Sequence, residues 1–244
     1  MKELILKIVP NMVLTFYRKI KHSKFRNKVF GKTVSKTFTD IYKTNHWASN
    51  KSISGTGSEL EQTKEIIKPI SDLLRKLDVK TVLDLPCGDF NWMQKVNLSS
   101  IKYIGADIVE DLVIENRKKY AIENEVDFIK INLLCDHLPV SDIIINRDCL
   151  VHLSFADIYD SIKNIKSSNC KYLLSTTFSN HSTNIDIITG NWRALNLEKP
   201  PFNFPKPIFL INENCMEGDV TFMDKSLGLW LIEDIKLPEA TQSL

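Results

Sequence analysis

Cysteine is scarce and scattered in this chain of 244 residues: five, at positions 87, 135, 149, 170 and 215, an odd number with no C-x-x-C pair. That argues against a disulfide framework and a zinc site, and fits a reducing, cytoplasmic setting. Glycine is sparse too, at 8 residues. No G-x-G-x-x-G run occurs, so the turn that cradles a pyrophosphate in dinucleotide proteins is missing. There is no internal repeat, no low-complexity tract, and no apolar run long enough to span a bilayer, because the apolar stretch from Leu4 to Tyr17 is broken by Lys7 and Pro10. No small-residue cleavage site follows it, which speaks against a secretory signal. What is present, 43% hydrophobic and 25% charged residues, suffices for one well-buried α/β domain.

The net charge of +2 conceals an asymmetry. Residues 1–32 carry nine Lys/Arg against Glu3, a net of +8, which leaves the remainder at −6. A mildly acidic body argues against nucleic acid as its partner. The basic arm, with apolar residues beside its cluster, suits a segment lying on the anionic inner face of a membrane, where each basic residue adds about 1 kcal/mol. A leader helix packed on the domain, or a tail, accounts for it equally. The expected organisation is a basic arm with lead-in helices at 1–50 and one domain at 51–244.

The most informative stretch is Thr81-Val-Leu-Asp-Leu-Pro-Cys-Gly-Asp-Phe-Asn-Trp92, followed at Tyr103-Ile-Gly-Ala-Asp-Ile108 by a second apolar strand ending in Asp107. A β-branched run that ends in an acidic residue, turns at Gly88, and is followed about 20 residues later by a second carboxylate has the logic of a nucleoside site, with the second carboxylate on a ribose diol. Pro86 and Phe90 stand where a dinucleotide turn has glycine, and Asp84 would repel a pyrophosphate and attract an ammonium. S-adenosylmethionine (SAM), which carries an amino acid and a sulfonium but no phosphate, fits that inventory better than NAD. An NAD-dependent oxidoreductase is disfavoured by the same three residues.

At these residues the chain resembles the class I SAM-dependent methyltransferases, whose first motif is an acidic residue and three spaced glycines after strand one, and whose second is an acidic residue after strand two. Gly88 alone of the three glycines matches cleanly. The resemblance covers residues 54–235 and implies a Rossmann-like, doubly wound α/β sheet, mostly parallel with a C-terminal antiparallel hairpin. It also implies SAM as cofactor, contacted by Asp84, Pro86, Gly88, Trp92, Asp107, Arg147 and the Gly57 loop. The family places a polar residue for the adenine amine after strand three, which here is Asn132, with Leu133 on the ring face and Ile108 on the other face or in the core. Short basic, apolar leaders like this one resemble those of enzymes of bacterial surface-polysaccharide synthesis, which implies a sugar or glycan acceptor. A small-molecule or lipid acceptor is the alternative within the class, and a non-catalytic protein with a decayed cofactor fold the alternative outside it.

The alternation of patterns predicts strands at 80–85, 102–107, 126–131, 141–146 and 171–177, helices at 90–96, 110–120 and 155–165, and a closing hairpin from 208–212 and 226–232. Ser58-Glu-Leu-Glu61 matches a capping box ahead of a helix with Ile66, Ile67, Ile70, Leu73, Leu74 and Leu77 at helical spacing. Gly55 and Gly57 before it form a turn whose N–H groups can hold an anion. The fourth strand delivers Asn146-Arg-Asp-Cys-Leu-Val-His152 to the ligand end of the sheet. His152 is the candidate general base, and Asp148 either orients it or acts itself. The segment 176–207 is polar and Pro-rich and has the character of a lid. Trp192, Arg193 and Asn196 in it are the inventory for gripping a hydroxylated acceptor, although Trp192 can equally staple the loop to the domain.

Overall fold

The computed structural model describes residues 31–216 and 221–237. The basic arm lies outside the described residues except for Gly31 and Lys32, and with it the membrane contact assigned to that arm. The elements are helix α1 (Val34–Lys43), α2 (Leu60–Lys76), β1 (Thr81–Asp84), β2 (Lys102–Asp107), α3 (Glu110–Tyr120), β3 (Val126–Lys130), β4 (Ile143–Asn146), α4 (Phe155–Ser167), β5 (Tyr172–Phe178), β6 (Phe209–Asn212) and β7 (Lys225–Leu231). No helix among the described residues is long and apolar enough to cross a membrane.

The seven strands form one sheet in the order β3-β2-β1-β4-β5-β7-β6. Strands β1 to β5 are parallel, and the order reverses between β1 and β4, which opens a crevice at the carboxyl ends of those strands. This is the Rossmann-like, doubly wound sheet expected from the sequence. Strand β7 pairs antiparallel with both β5 and β6, so β7 alone runs against the rest.

The central strands β1, β4 and β5 are buried on both faces and read as apolar runs, yet their alternation still sorts side chains to two clusters. Val82, Ile143, Ile145 and Leu174 join Ile66, Ile70 and Leu74 of α2 on one face. Leu83, Ile144 and Leu173 join Ile158, Ile162 and Ile165 of α4 on the other.

Four expectations are corrected. The helix at 90–96 is a single 3₁₀ turn, Met93–Lys95, because Phe90 sits at φ +57° and blocks an earlier start. The capping box does not form: Ser58 belongs to a 3₁₀ turn, Thr56–Ser58, and the N-cap of α2 is Glu59, whose carboxylate accepts from Ser49 at 2.8 Å instead of capping. The closing hairpin is antiparallel as expected, but only its second strand is reversed. The segment read as too polar for the core contributes Leu195, Leu197, Phe202 and Phe204 to the cluster beneath α4, where a crossover helix would otherwise lie. Its amides face its own backbone, which frees the interleaved apolar residues to pack.

Leu197 is fully buried, so Leu197→Ala should cost about 2–4 kcal/mol in urea denaturation, as for other core leucines. A cost under about 0.5 kcal/mol would mean that the segment is a surface loop after all.

Candidate functional site

The ends of β1, β2 and β4 open on one cavity of about 420 Å³, closed on the far side by Val34, Phe38, Ile41 and Tyr42 of α1 and by residues 53–58. That volume is within the range of cofactor and small-molecule sites, about 300–1,000 Å³.

Two buried carboxylates stand at adjacent strand ends. Asp84 accepts the Tyr103 hydroxyl at 2.6 Å, and burial pushes its pKa up to about 7. Asp107 accepts the N–H groups of Gly88 at 3.2 Å and Val109 at 3.0 Å, and burial lifts it to about 6 against those donors. Gly88 has φ +54°, and a Cβ there would lie 2.4 Å from Ser54 Oγ, so both conformation and space require glycine. Phe90 occupies a second left-handed position, at φ +57°. Its ring is held by Tyr103, Tyr120 and Phe128 at centroid distances of 4.9, 5.3 and 5.3 Å, packing that offsets the backbone strain.

The N-terminal loop is stitched to this turn. Asp89 N–H donates to Ser54 Oγ at 2.9 Å, Ile53 N–H donates to Asp89 at 3.1 Å, and the Asn91 amide donates to Ser58 O at 3.1 Å. Trp47, Ser54 and Gly57 thereby reach the cavity.

At the end of β4, Arg147 is buried and fully occupied. It donates to both oxygens of Glu213, at 3.2 and 2.6 Å, and to Gly57 O at 2.9 Å; it lies 3.3 Å from Asp148 and 5.4 Å from the Trp92 ring centroid. Burial works against its charge, but Glu213 and Asp148 hold its pKa above the usual value. Asp148 has φ +51° and faces Lys225 Nζ at 2.7 Å. Burial alone would raise its carboxyl; Lys225 and Arg147 hold it down at about 2. Its Oδ1 is buried with no hydrogen-bond partner.

His152 ends a 3₁₀ turn, Leu150–His152. Its Nδ1 lies 2.8 Å from Asn191 O, which makes it the N–H donor and leaves Nε2 as the acceptor. The ring stacks at 4.6 Å from Trp47. Burial lowers its pKa to about 4, so the imidazole is neutral at physiological pH.

Asp84, Pro86, Gly88, Trp92, Asp107, Ile108, Asn132, Leu133, Arg147, Gly57, Asp148, His152 and Trp192 all line this cavity. Asn132 also shapes its own turn, its side-chain oxygen accepting from Leu134 N–H at 3.1 Å. Arg193 and Asn196 do not line it. Arg193 donates to Leu150 O and Leu153 O at 3.0 and 2.9 Å, clamping the His152 turn, and Asn196 donates to Ser179 O and His181 O at 3.2 and 2.8 Å. Arg193 ties the segment to the His152 turn and Asn196 belongs to the segment's own wiring, so neither of the two side chains expected to grip an acceptor lines the cavity.

Lining residues that sequence reasoning missed are Trp47, Phe178, Phe222 and Lys225. Lys225 had a signal: a lysine opening a seven-residue run that is otherwise uncharged, Lys225–Leu231, is a charge in a buried strand and implies an acidic partner.

No protein-family model and no curated protein matches the chain. Among solved structures, the magnesium protoporphyrin IX methyltransferase of Synechocystis with bound SAM is 15% identical with a TM-score of 0.46, over 66% of this chain and 82% of that one. Human N-acetylserotonin methyltransferase in complex with SAM is 17% identical with a TM-score of 0.41, over 63% of this chain. The match spans only 44% of the human enzyme. An N-methyltransferase from Bradyrhizobium japonicum with bound S-adenosyl-L-homocysteine (SAH) is 12% identical with a TM-score of 0.43, over 57% and 73%. At these levels the likeness adds nothing to the fold read directly from the strand order.

Heteronuclear NMR of the imidazole nitrogens should find His152 neutral and Nδ1-protonated, titrating near 4. A titration near 6.5 would show an exposed, uncommitted ring.

Proposed function

We propose that this chain is a SAM-dependent O-methyltransferase. The observation that carries the reading is the pair Asp84 and Asp107, two buried carboxylates with raised pKa values at adjacent strand ends of one cavity. Burial makes their ionised forms unfavourable in isolation, and a ligand bringing an ammonium to one and a ribose diol to the other relieves that penalty. A pyrophosphate would aggravate it, so the donor set fits SAM and not NAD. Asp107 then holds the ribose, Asp84 and the Gly57 loop face the amino acid end, and Asn132 with Leu133 borders the base. SAM supplies an electrophilic methyl on a sulfonium.

The protein's own part is to seat an acceptor hydroxyl at the end of β4. Nε2 of neutral His152 is an acceptor, with ionised Asp148 close by in the cavity wall, and a hydroxyl donating to Nε2 has its oxygen lone pair turned toward the cofactor. The acceptor hydroxyl belongs to a sugar or glycan head seated beside His152. The setting is the cytoplasmic face of the membrane, with the basic arm as the peripheral contact. Transfer of label from tritiated SAM into glycan extracts, with methyl sugars in the product, tests this assignment.

The raised carboxyls set a pH dependence. In the ligand-free protein Asp84 and Asp107 retain protons up to about 7 and about 6 that the unfolded chain releases near 3.8, so their contribution to stability falls as pH rises through that window. A ligand that prefers the ionised forms is linked in the opposite sense. If SAM binds only the ionised forms, its affinity should rise from pH 5.5 to 7.5 by about fourfold through Asp107 and by more than about tenfold through Asp84, with protons released on binding, as calorimetry in buffers of different ionisation enthalpy can measure. Flat affinity across that range would remove the carboxylates from the site.

Asp107→Ala should weaken SAM binding by about 1–3 kcal/mol, since charge-assisted hydrogen bonds to the diol are lost. His152→Ala should leave SAM affinity within a few-fold and lower turnover by about 10²–10⁴. Loss of SAM binding in His152→Ala would make the residue structural.

A further inference from the structure

We infer that the acceptor is amphipathic: the methylated hydroxyl belongs to a head that is joined to an apolar chain, and the chain leaves the cavity along Trp192 and Phe222. The inference rests on the methyltransferase reading above and deepens its acceptor.

Beyond His152 the cavity wall is aromatic. Trp47 stacks on the imidazole at 4.6 Å, and Phe178, Trp192 and Phe222 pack mutually at centroid distances of 6.0, 5.7 and 4.9 Å. Trp192 follows Asn191, whose carbonyl fixes His152, so this wall begins one residue from the base.

The amides that would satisfy a glycan's many hydroxyls are committed elsewhere. The Asn184 side chain donates to Asn196 O and Pro200 O, and Arg193 and Asn196 are bound to carbonyls as described. Nε2 of His152 is left to accept from one hydroxyl. Further hydroxyls pressed on the aromatic wall would be desolvated without partners, whereas an alkyl or acyl chain loses nothing there.

The mouth continues the same chemistry. Trp192 lines the cavity yet is 37% exposed, and Met216 and Met223, chain neighbours of the lining residues Cys215 and Phe222, are 65% and 51% exposed. The aromatic wall therefore reaches solvent at Trp192, and exposed methionines flank its residues along the chain, as suits a binding surface for an apolar partner.

The test uses the full chain and three probes with one head, butyl, hexyl and octyl β-D-glucoside, each below its micelle concentration and titrated calorimetrically. Affinity should rise at least tenfold from butyl to octyl, consistent with added methylenes entering an apolar site. Trp192→Ala and Phe222→Ala should each abolish most of that rise, with native folding checked by circular dichroism. Met223→Ser, a change at the surface, should reduce it two- to threefold without any risk to folding. Chain-length independence in the wild type overturns the inference, and so does a rise that persists in all three variants, which would mean detergent adsorbed elsewhere. SAM titration is a separate arm. If SAM fails to bind, the cofactor reading falls, while the chain-length series still decides whether this mouth takes an apolar chain.

Discussion

Four buried charges hold the site together. Arg147, Glu213, Asp148 and Lys225 are linked by contacts of 2.6 to 3.4 Å among side chains at most 22% exposed. Removing such charges from water costs several kcal/mol each unless geometry and hydrogen bonds return it, so the cluster tolerates the loss of no single member. It joins the end of β4, the residue following β6, the start of β7 and, through Gly57 O, the loop ahead of α2. Those four segments form one side of the cavity.

That constraint explains the position of the base as well. With Asp148 fixed by Lys225 and by Thr176 Oγ1, which accepts its N–H at 2.8 Å, the chain turns through the 3₁₀ segment that ends at His152. The segment from 176 to 207 then locks the turn from outside. Gly190 N–H and Arg193 N–H donate to His152 O and Val151 O, at 2.8 and 3.1 Å. What looks like a lid is thus a frame, held by its own apolar residues in the core.

How much of this could be read from sequence follows from the range of each interaction. Strand positions and their order were legible because period, length and punctuation are local. Asp84, Gly88 and Asp107 were legible because a carboxylate closing an apolar strand, and a glycine in the turn after it, are unusual locally. Partners distant along the chain were not: nothing near Arg147 announces Glu213, 66 residues away. The same blindness placed Arg193 and Asn196 in the cavity, since a polar side chain in a loop looks alike whether it awaits a ligand or binds a carbonyl, of a distant turn for Arg193 and of its own segment for Asn196. Ser58-Glu-Leu-Glu61 failed differently. Its pattern is right for a cap, but the preceding Gly55 turn begins the 3₁₀ segment early and shifts the helix start by one residue.

In the proposed reaction the weak basicity of His152 and Asp148 limits what general-base catalysis can contribute. Asp148 at about 2 and His152 at about 4 are both far too weak to hold the proton of an alkyl hydroxyl before the reaction. Either group can take it only as positive charge develops on the attacking oxygen, when the acceptor's own acidity has risen many units. In the proposed reaction the protein's larger lever is therefore placement: a neutral imidazole locked by Asn191 and Trp47, beside an Asp148 carboxylate whose Oδ2 is held by Lys225 and Arg147, fixes one hydroxyl against the electrophile with little freedom left to lose. Arg193 belongs to that lever despite never facing the cavity, because it holds the carbonyls on either side of His152 in the same turn.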